Sequence, residues 1–368
     1  MKIGISCYPT VGGSGILATR LGLELAKRGN EVHFITYERP VTMHGMDQEN
    51  VMVHLVSVVE YPLFKYPPYT VALGSEMIRV SEQYGLDLIH VHYTIPHATA
   101  ALLARMVTGV PYMATIHGSD VTIMGEDPSY RPVNTFSIES ADRLTSVSQY
   151  LAKEARERLG VRKEIAVIPN FVDPDAFSPP NSEAAAHGDN QATIIHVSNF
   201  RPVKRVQDIV EAMGIVVKEI KDARLILVGD GPERHKTELL VDRLGLQKNV
   251  RFTGYRRDIP PLMRCSSIFV LSSESESAPL TLLEGMSCGL PVVSTRVGGV
   301  PEIVSDGENG FLVPPYSPNM IAEKILELGN DDELRRRLGA AARKTVLERF
   351  TAKMVLPQYE KLYRELMK

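Results

Sequence analysis

The sequence predicts an α/β fold with two doubly wound domains, each built on a parallel sheet. Short β-branched runs alternate with helical patterns, and this rhythm restarts after a polar, Pro-rich stretch at 178–191. The 368 residues, 44% of them hydrophobic, are enough for two cores of ordinary size. We therefore predict domains at 1–170 and 171–351, with a final helix at 352–368 that packs back on the first domain.

In the first half, a strand at Ile3–Ser6 precedes an amphipathic helix at Ile16–Arg28, which Gly29 and Asn30 end. The pattern continues with strands at Glu31–Thr36, Leu88–His92, Tyr112–Ile116 and Leu144–Ser146, and with a helix at Pro96–Met106. Strands joined through helices in this way form a parallel sheet.

The second half repeats the pattern. Strands are predicted at Thr193–Val197, Leu225–Val228, Val250–Thr253, Ile268–Leu271 and Pro291–Ser294, and helices at Val206–Val217 and Leu280–Cys288. Three helical segments, Met320–Leu328, Asp332–Glu348 and Ala352–Met367, then follow with no further predicted strand. Pro357 should kink the last helix or begin its second part.

Composition and charge restrict the function. A net charge of −3 without a basic tail argues against nucleic acid as the main partner, and no apolar run is long enough to span a membrane. The N-terminus is too short and interrupted for a signal peptide, so we expect a cytoplasmic protein. Its three cysteines lack metal-ligand spacing, and His90-Val91-His92 lacks an obvious third ligand, so no metal site is predicted.

Ligands of open parallel sheets bind beyond the carboxyl ends of the strands, so two such domains facing each other would line a cleft with the loops that follow their strands. One such loop contains Glu276, and Glu284 follows eight residues later, inside the next helix. A fully helical span of that length would measure about 12 Å, comparable to the distance from a sugar to a ribose across a pyrophosphate. Between them, Ser277, Ala278, Pro279 and Leu280 mark a helix start, whose free amides attract phosphate or hydroxyl groups. The alternative is a pair of solvated glutamates.

The first loop carries Gly13-Ser14-Gly15 and continues to Ala18, which matches G-x-G-x-x-A, and Glu38 could imitate a ribose-binding acid. Several residues separate the predicted strand from these glycines, so NAD binding is the weaker interpretation. Bare amides at Gly12–Gly15 could instead approach a diphosphate or an acceptor carboxylate, or the glycines could form only a tight turn.

Two further loops carry polar candidates. His117 follows the strand Tyr112–Ile116 and could bind a sugar hydroxyl, with Asp120 orienting it. The segment Val197–Arg205 places Lys204 where a diphosphate would lie.

Together these motifs resemble the family 4 retaining glycosyltransferases of GT-B fold over essentially the whole chain. The ordered set is Gly12-Gly13, His117, Lys204, Gly229-Asp230-Gly231-Pro232, Gly254-Tyr255-Arg256, and Glu276 with Glu284. The GT-B fold implies two Rossmann-like domains facing across a cleft.

The resemblance also implies roles for these residues. Lys204 would clamp the donor diphosphate, the backbone of Arg256 would contact uracil, and His117 would touch the sugar 6-hydroxyl. Glu276 would hold the donor sugar and Glu284 the ribose. Gly13, Ser14 and Ser277 to Leu280 complete the donor-binding set, and His117, Glu276 and Lys204 form the catalytic set. Many relatives have Arg where this chain has Asn199, which leaves Arg201 as a substitute cation.

The segments Met1–Arg39, Lys65–Tyr69 and His90–Tyr93 resemble more narrowly the branch that begins bacillithiol biosynthesis. This implies transfer of N-acetylglucosamine from UDP-N-acetylglucosamine to the hydroxyl of L-malate, with retention and without a required cofactor. Candidate acceptor-binding residues are Ser14, Gly15, Lys65, Tyr93, Gly118 and Arg131. A homo-oligomer is possible.

Three other functions stay open from the sequence. A related transferase could act on an inositol acceptor; for a lipid-linked one, the first helix would need a basic stripe, and it offers only Arg20, Lys27 and Arg28. A UDP-sugar epimerase would need no acceptor. A sensor would bind the nucleotide sugar without turnover, which fold analogy does not decide.

Overall fold

The computed structural model describes residues 1–10, 12–43, 48–180 and 192–367, so most of the predicted linker, 181–191, lies outside the described residues. The chain divides into two compact units. The first unit contains Met1–Asn170 together with Ala352–Lys368, and the second contains Phe171–Thr351.

The first unit is built on a parallel sheet whose strand order is β3-β2-β1-β4-β5-β6-β7. Its strands are β1 Lys2–Ser6, β2 Glu31–Thr36, β3 Val51–Leu55, β4 Leu88–His92, β5 Tyr112–Ile116, β6 Arg143–Ser146 and β7 Ile165–Val167. β1 pairs with both β2 and β4, so the direction of winding reverses between β1 and β4. Strands β4 and β5 are buried along their whole length, because helices cover both faces of a doubly wound sheet.

The helices of this unit are α1 Gly13–Lys27, α2 Tyr69–Tyr84, α3 Thr94–Thr108, α4 Ser119–Thr122, α5 Arg131–Ser140 and α6 Gln149–Leu159. Local sequence explains several of their ends. Ser148 caps α6 by accepting the Leu151 N–H, and Gly160 ends it in the left-handed conformation. Gly85 and Gly109 end α2 and α3 in the same way.

A last helix, Ala352–Leu366, belongs to this first unit and runs continuously through Pro357. Its apolar face buries Tyr359 and Tyr363 completely. The hydroxyl of Tyr363 lies 2.7 Å from Nδ1 of His90 in the middle of β4. At the surface, Arg28 forms an ion pair of 3.3 Å with Glu360.

The second unit has a parallel sheet of strand order β10-β9-β8-β11-β12-β13. The direction of winding reverses between β8 and β11, as it does between β1 and β4 in the first unit. The strands are β8 Thr193–Val197, β9 Arg224–Val228, β10 Val250–Gly254, β11 Ile268–Leu271, β12 Val292–Thr295 and β13 Gly310–Val313. The helices are α7 Val206–Glu219, α8 Arg234–Arg243, α9 Ile259–Arg264, α10 Leu280–Ser287, α11 Pro318–Asn330 and α12 Asp332–Arg349. Numbered in this way, Ala352–Leu366 is α13.

Two apolar clusters fill this second unit. One contains Ile209 and Met213 of α7 and Ile325 of α11. The other contains Leu282 and Met286 of α10. Alternate residues of one strand enter different clusters, for instance Ile268 and Phe269 of β11, as expected when side chains alternate across a sheet that is covered on both faces.

These observations confirm the predicted α/β class with two parallel-sheet domains. The sequence prediction missed β3, β7 and β13, and the expectation of no strand after β12 is wrong. β7 is only three residues long, and β13 begins at Gly310, directly after the polar turn Ser305–Asn309. Within the described ranges, no helix is both long and apolar enough to cross a membrane.

Candidate active site

An ion pair joins two loops at the carboxyl ends of neighbouring strands in the second unit. Lys204 ends a 3₁₀ turn that follows β8, and Glu276 lies in the loop that follows β11. Lys204 Nζ is 2.6 Å from Glu276 Oε1, and Ser273 Oγ donates to the same oxygen at 2.7 Å. The Glu276 side chain is only 9% exposed. A charged pair held in this way can bind the polar and anionic groups of a ligand.

Further hydrogen bonds to backbone groups fix the two loops in place. Ser272 Oγ lies 2.9 Å from the carbonyl oxygens of both Lys204 and Arg205. The Glu274 N–H donates to the Val203 carbonyl at 2.9 Å. From β12, Thr295 Oγ1 donates to the Ser273 carbonyl at 2.6 Å. The position of the ion pair is therefore set by hydrogen bonds other than its own.

Helix α10 begins beside this pair. Its N-cap residue is Pro279, which offers no side-chain cap, and its first turn contains no acidic residue. Glu284 lies one turn into the helix and is buried. Ser277, Ala278 and Pro279 connect Glu276 to Leu280, where the helix starts. Only part of the span from Glu276 to Glu284 is helical, so the length of about 12 Å for a fully helical span does not apply. The amides at this helix start could bind an anion.

The glycines after β9 have a structural role. Gly229 and Gly231 have φ values of 123° and 156°, and a Cβ on them would lie 1.8 Å from the Ser198 carbonyl and 2.0 Å from that of Asn199. The Gly229-Asp230-Gly231-Pro232 motif thus packs directly against the loop that leads to Lys204.

Three other residues predicted for the donor site, Asn199, Arg201 and Arg256, lie nearer the surface. Asn199 and Arg201 are exposed in the loop after β8. The Arg256 guanidinium is held by the Asp258 carboxylate at 2.7 Å, beyond the end of β10. This leaves the backbone of Arg256, rather than its charge, for the uracil contact that the family resemblance implies.

In the first unit, α1 starts at Gly13, three residues before the predicted start at Ile16. The glycines predicted as a loop are therefore the N-cap, Gly12, and the first turn, and the cap supplies no side-chain hydrogen bond. Gly13 is exposed and Ser14 is half-buried, whereas Gly15 is buried. A Cβ on Gly15 would lie 2.3 Å from the Tyr8 carbonyl oxygen, so packing requires this glycine. The uncapped amides can still meet an anionic ligand.

The loop after β5 carries His117 and Gly118. Their backbone N–H groups donate to the Asp120 carboxylate, at 3.1 Å and 2.7 Å, and the Thr94 N–H donates to it from α3. The expectation that Asp120 orients the imidazole is wrong, because it holds the loop backbone instead. The ring is oriented by β4, since His117 Nε2 lies 3.1 Å from Nδ1 of His92. Burial lowers the pKa of His117 to about 3, so the ring is neutral.

The predicted acceptor residues Tyr93, Lys65 and Arg131 each have a contact of their own in the first unit. The Tyr93 hydroxyl lies 3.0 Å from Ser119 Oγ, beside Gly118. Lys65 is exposed in the segment after β3, with Nζ 5.4 Å from the centre of the Tyr66 ring. Arg131 begins α5 and donates to the Arg158 carbonyl at 2.8 Å. Neither of these contacts joins Lys65 or Arg131 directly to Tyr93 or His117.

Sequence reasoning missed some residues at these edges. Ser273 contacts Glu276 directly, and Ser119 contacts Tyr93. His92, which the sequence analysis considered only as a metal ligand, contacts His117. A signal was available, because all three lie in or beside the strand-end segments that contain the predicted residues.

No group of three or more His, Cys, Asp or Glu side chains that could hold a metal ion occurs in the part of the chain that the structure describes. Burial raises the pKa of both Cys7 and Cys288 to about 12. These thiols are protonated at neutral pH and are weak nucleophiles and ligands.

Comparison with known proteins identifies the family. Residues 178–345 match the family described as Glycosyl transferases group 1, and residues 11–176 match Glycosyltransferase Family 4. The chain is 40% identical to an N-acetyl-alpha-D-glucosaminyl L-malate synthase of Bacillus anthracis, over all of this chain and 98% of that protein. It is 27% identical to a D-inositol 3-phosphate glycosyltransferase of Corynebacterium glutamicum, over 90% of this chain and 86% of that one.

Similarity to solved structures supports the same fold. The chain superposes on a sucrose-phosphate synthase of Thermosynechococcus elongatus with a TM-score of 0.84 at 23% identity, covering 99% of this chain and 98% of the other. The two parallel sheets fit the GT-B fold. Together with the family matches and the full-length similarity, they show that the chain belongs to the family 4 glycosyltransferases, enzymes of GT-B fold.

Proposed function

We propose that this glycosyltransferase moves N-acetylglucosamine from UDP-N-acetylglucosamine to the hydroxyl of L-malate and releases UDP, the first step of bacillithiol biosynthesis. The observation that carries the proposal is the 40% identity to an N-acetyl-alpha-D-glucosaminyl L-malate synthase over the whole chain. We assign the reaction to the cytoplasm and require no metal or other cofactor for it.

The second unit supplies the donor half of the proposed reaction. Lys204 neutralises charge on the diphosphate, assisted by the uncapped start of α10. Glu276 Oε1 is engaged by Lys204 and Ser273, and its carboxylate accepts hydrogen bonds from sugar hydroxyls. Glu284 accepts from the ribose. Gly13 and Ser14 at the start of α1 and the His117 ring are the groups of the first unit assigned to the donor.

The first unit supplies the acceptor half. Malate carries two carboxylates, which need cations and N–H or O–H donors. The start of α1 at Ser14 and Gly15, the Tyr93 hydroxyl, the Gly118 amide, Lys65 and Arg131 are the proposed donors. Since Arg131 already donates to the Arg158 carbonyl, its other N–H groups would serve malate.

The proposed chemistry keeps the α configuration. The bond from the sugar anomeric carbon to the UDP phosphate oxygen breaks, and a bond to the malate hydroxyl oxygen forms on the same face. The departing phosphate takes the malate hydroxyl proton, so atoms and charge balance without a protein nucleophile. The chain contributes binding, orientation and stabilisation of the charge that develops on UDP.

An inositol phosphate is the second candidate acceptor, because relatives named D-inositol 3-phosphate glycosyltransferase cover most of the chain. The deciding experiment incubates the protein with UDP-N-acetylglucosamine alone, with L-malate, or with D-inositol 3-phosphate, and follows UDP release and product mass. Malate-dependent release with a glucosaminyl-malate mass and an α anomeric coupling supports the proposal. Release only with the inositol phosphate, or donor isomerisation without acceptor, overturns it.

A further inference from the structure

His92 and His117 form a hydrogen-bonded pair at the carboxyl edge of the first unit's sheet. His92 ends β4, and His117 directly follows β5. Nδ1 of His92 and Nε2 of His117 are 3.1 Å apart, and the ring centres are 5.3 Å apart. The His92 side chain is completely buried, whereas the His117 residue is only partly buried.

Both rings are neutral. Burial lowers the pKa of His117 to about 3 and that of His92 far below its ordinary value, and neighbouring His90 and His97 act in the same direction on His92. Each ring therefore carries one N–H. The hydrogen bond between them needs one N–H and one lone pair, so two proton arrangements are possible.

In the first arrangement, His117 donates from Nε2, and the proton of His92 must lie on its own Nε2. That atom is buried and has no hydrogen-bond partner within the described residues, so the arrangement buries an N–H without an acceptor. In the second arrangement, His92 donates from Nδ1 and leaves only a lone pair at its Nε2. Orphaned buried N–H groups are rarer in proteins than under-satisfied acceptors, which favours the second arrangement.

Neighbouring contacts hold His92 in place. Its ring packs on that of His90, with 4.1 Å between the ring centres. His90 is in turn fixed by the Tyr363 hydroxyl of α13 and by Thr115 Oγ1 of β5, each at 2.7 Å. His92, the donor of the pair, is thus held in place through His90 by α13 and β5.

The geometry points to His92 as a positioning residue that fixes His117 in the tautomer with its proton on Nδ1. His117 then offers an N–H donor to a ligand oxygen and does not accept a proton at that atom. The inference rests on the proposed function for the identity of the oxygen, a hydroxyl of the transferred sugar. It also excludes His117 as the base for the acceptor hydroxyl, in agreement with proton transfer to the departing phosphate.

The tautomer can be measured directly on the full-length protein. Histidine labelled with ¹⁵N distinguishes the protonated from the bare ring nitrogen by chemical shift, and a His117→Asn variant assigns the signals. We expect His117 to show a protonated Nδ1 and a bare Nε2. The reverse pattern overturns the inference. This readout does not require turnover, so it stands apart from a failure of the proposed substrates.

Variants of His92 then test the effect on the ligand. His92→Asn keeps an N–H donor near the Nδ1 position, whereas His92→Leu removes it. We expect His92→Leu to raise the KM for the UDP-sugar about tenfold, as for loss of one hydrogen bond, while His92→Asn stays within about twofold of the native value. Equal effects of the two variants would contradict a role for the donated proton.

A second buried histidine pair provides the matched control. His33 on β2 and His54 on β3 lie 2.9 Å apart, on the opposite side of β1 from β4 and β5. His54→Leu removes a comparable buried ring, and it should lower stability without changing the KM. A similar rise in KM for His54→Leu would show that the effect of His92→Leu is only a loss of packing.

Discussion

Lys204 Nζ and Glu276 Oε1 lie 2.6 Å apart, although the two residues follow different strands, β8 and β11. We expect Lys204→Ala and Glu276→Gln each to lower kcat/KM by about 100-fold or more, because both groups act on charge and hydroxyls at the donor site. Steady-state kinetics with UDP release as the readout measures this loss.

An exposed ion pair of the same unit is the control. Lys236 and Glu233 are 2.9 Å apart, and the Lys236 side chain is 69% exposed. Lys236→Ala should change the free energy of unfolding by less than about 1 kcal/mol and leave kcat/KM unchanged. If Lys236→Ala lowers kcat/KM as much as Lys204→Ala does, the loss reflects the removal of any positive charge from this unit, and not the position of Lys204 at a strand end.

Glu284 and Lys65 should separate the two substrates. Glu284 is buried in α10 of the second unit, and Glu284→Gln should weaken UDP binding about tenfold through a lost hydrogen bond to ribose. Titration calorimetry with UDP measures this effect. A Glu284→Gln protein that binds UDP as tightly as the native one would remove Glu284 from the donor site.

Lys65 lies in an exposed segment of the first unit. Lys65→Ala should raise the KM for malate severalfold without changing UDP affinity or thermal stability, because only a malate carboxylate loses its counter-charge. Initial rates over a range of malate concentrations test it. If the substitution changes UDP binding as much as the malate requirement, the assignment of Lys65 is wrong.

Gly12 and Gly15 differ in what a methyl group would meet. On Gly12 the nearest atom, Thr10 Oγ1, is 3.5 Å from the added Cβ, and φ is −69°, which suits any residue. Gly12→Ala should therefore leave thermal stability unchanged and still lower kcat/KM about tenfold, if an anionic ligand approaches these amides. Native activity in this variant would exclude such an approach.

Gly15→Ala provides the contrast. Its Cβ would lie 2.3 Å from the Tyr8 carbonyl oxygen, so the loop after β1 must move. We expect a loss of about 1–3 kcal/mol in the free energy of unfolding, as in other overpacked sites. A denaturant titration that shows no loss would contradict the close packing of this loop against α1.

Several buried histidines predict how stability depends on pH. Burial lowers the pKa of His90 and His117 to about 3 and that of His97 and His196 to about 4. The unfolded chain, with pKa values near 6.5, binds more protons below that pH. The stabilisation is therefore complete above about pH 6.5 and is lost as the pH falls toward 4, by on the order of 1 kcal/mol per histidine and pH unit.

Urea titrations between pH 7.5 and 5 measure this loss as a fall in the unfolding midpoint. Asp120 has a raised pKa because it is buried, and this acts in the opposite direction, but only as the pH falls through its raised pKa toward its ordinary value of 3.8. Stability that stays constant from pH 7.5 to 5 would show that these histidines are not buried as neutral rings.

The sequence predicted the parts of the fold that have a strong periodic signal. β1, β4 and β5 each contain a short run rich in apolar residues and were predicted to within one residue of their ends. β7 was missed because three residues carry no period, and α8 because its sequence is mostly polar. Helix starts were less certain, since Gly13 at the beginning of α1 has a turn-like composition but helical geometry.

For the candidate site, the sequence placed residues at strand ends but not the atoms that they contact. It paired Lys204 and Glu276 with one ligand, and the structure shows them within 2.6 Å of each other. It assigned Asp120 to the His117 ring, whereas the carboxylate binds backbone N–H groups. The contact that does orient the ring, between His117 Nε2 and His92 Nδ1, joins residues 25 apart in sequence, so no local pattern reveals it.

The return of α13 to the first unit affects the order in which the chain can fold during synthesis. Residues 171–351 form a contiguous unit, whereas 1–170 needs Tyr359 and Tyr363 from the last helix to cover its sheet. Because the ribosome makes α13 after residues 171–351, the domain that begins first is completed only after the second domain has been synthesised. Until then, the surface of its sheet around His90 lacks the helix that covers it, and the nascent chain exposes a patch that a chaperone could bind.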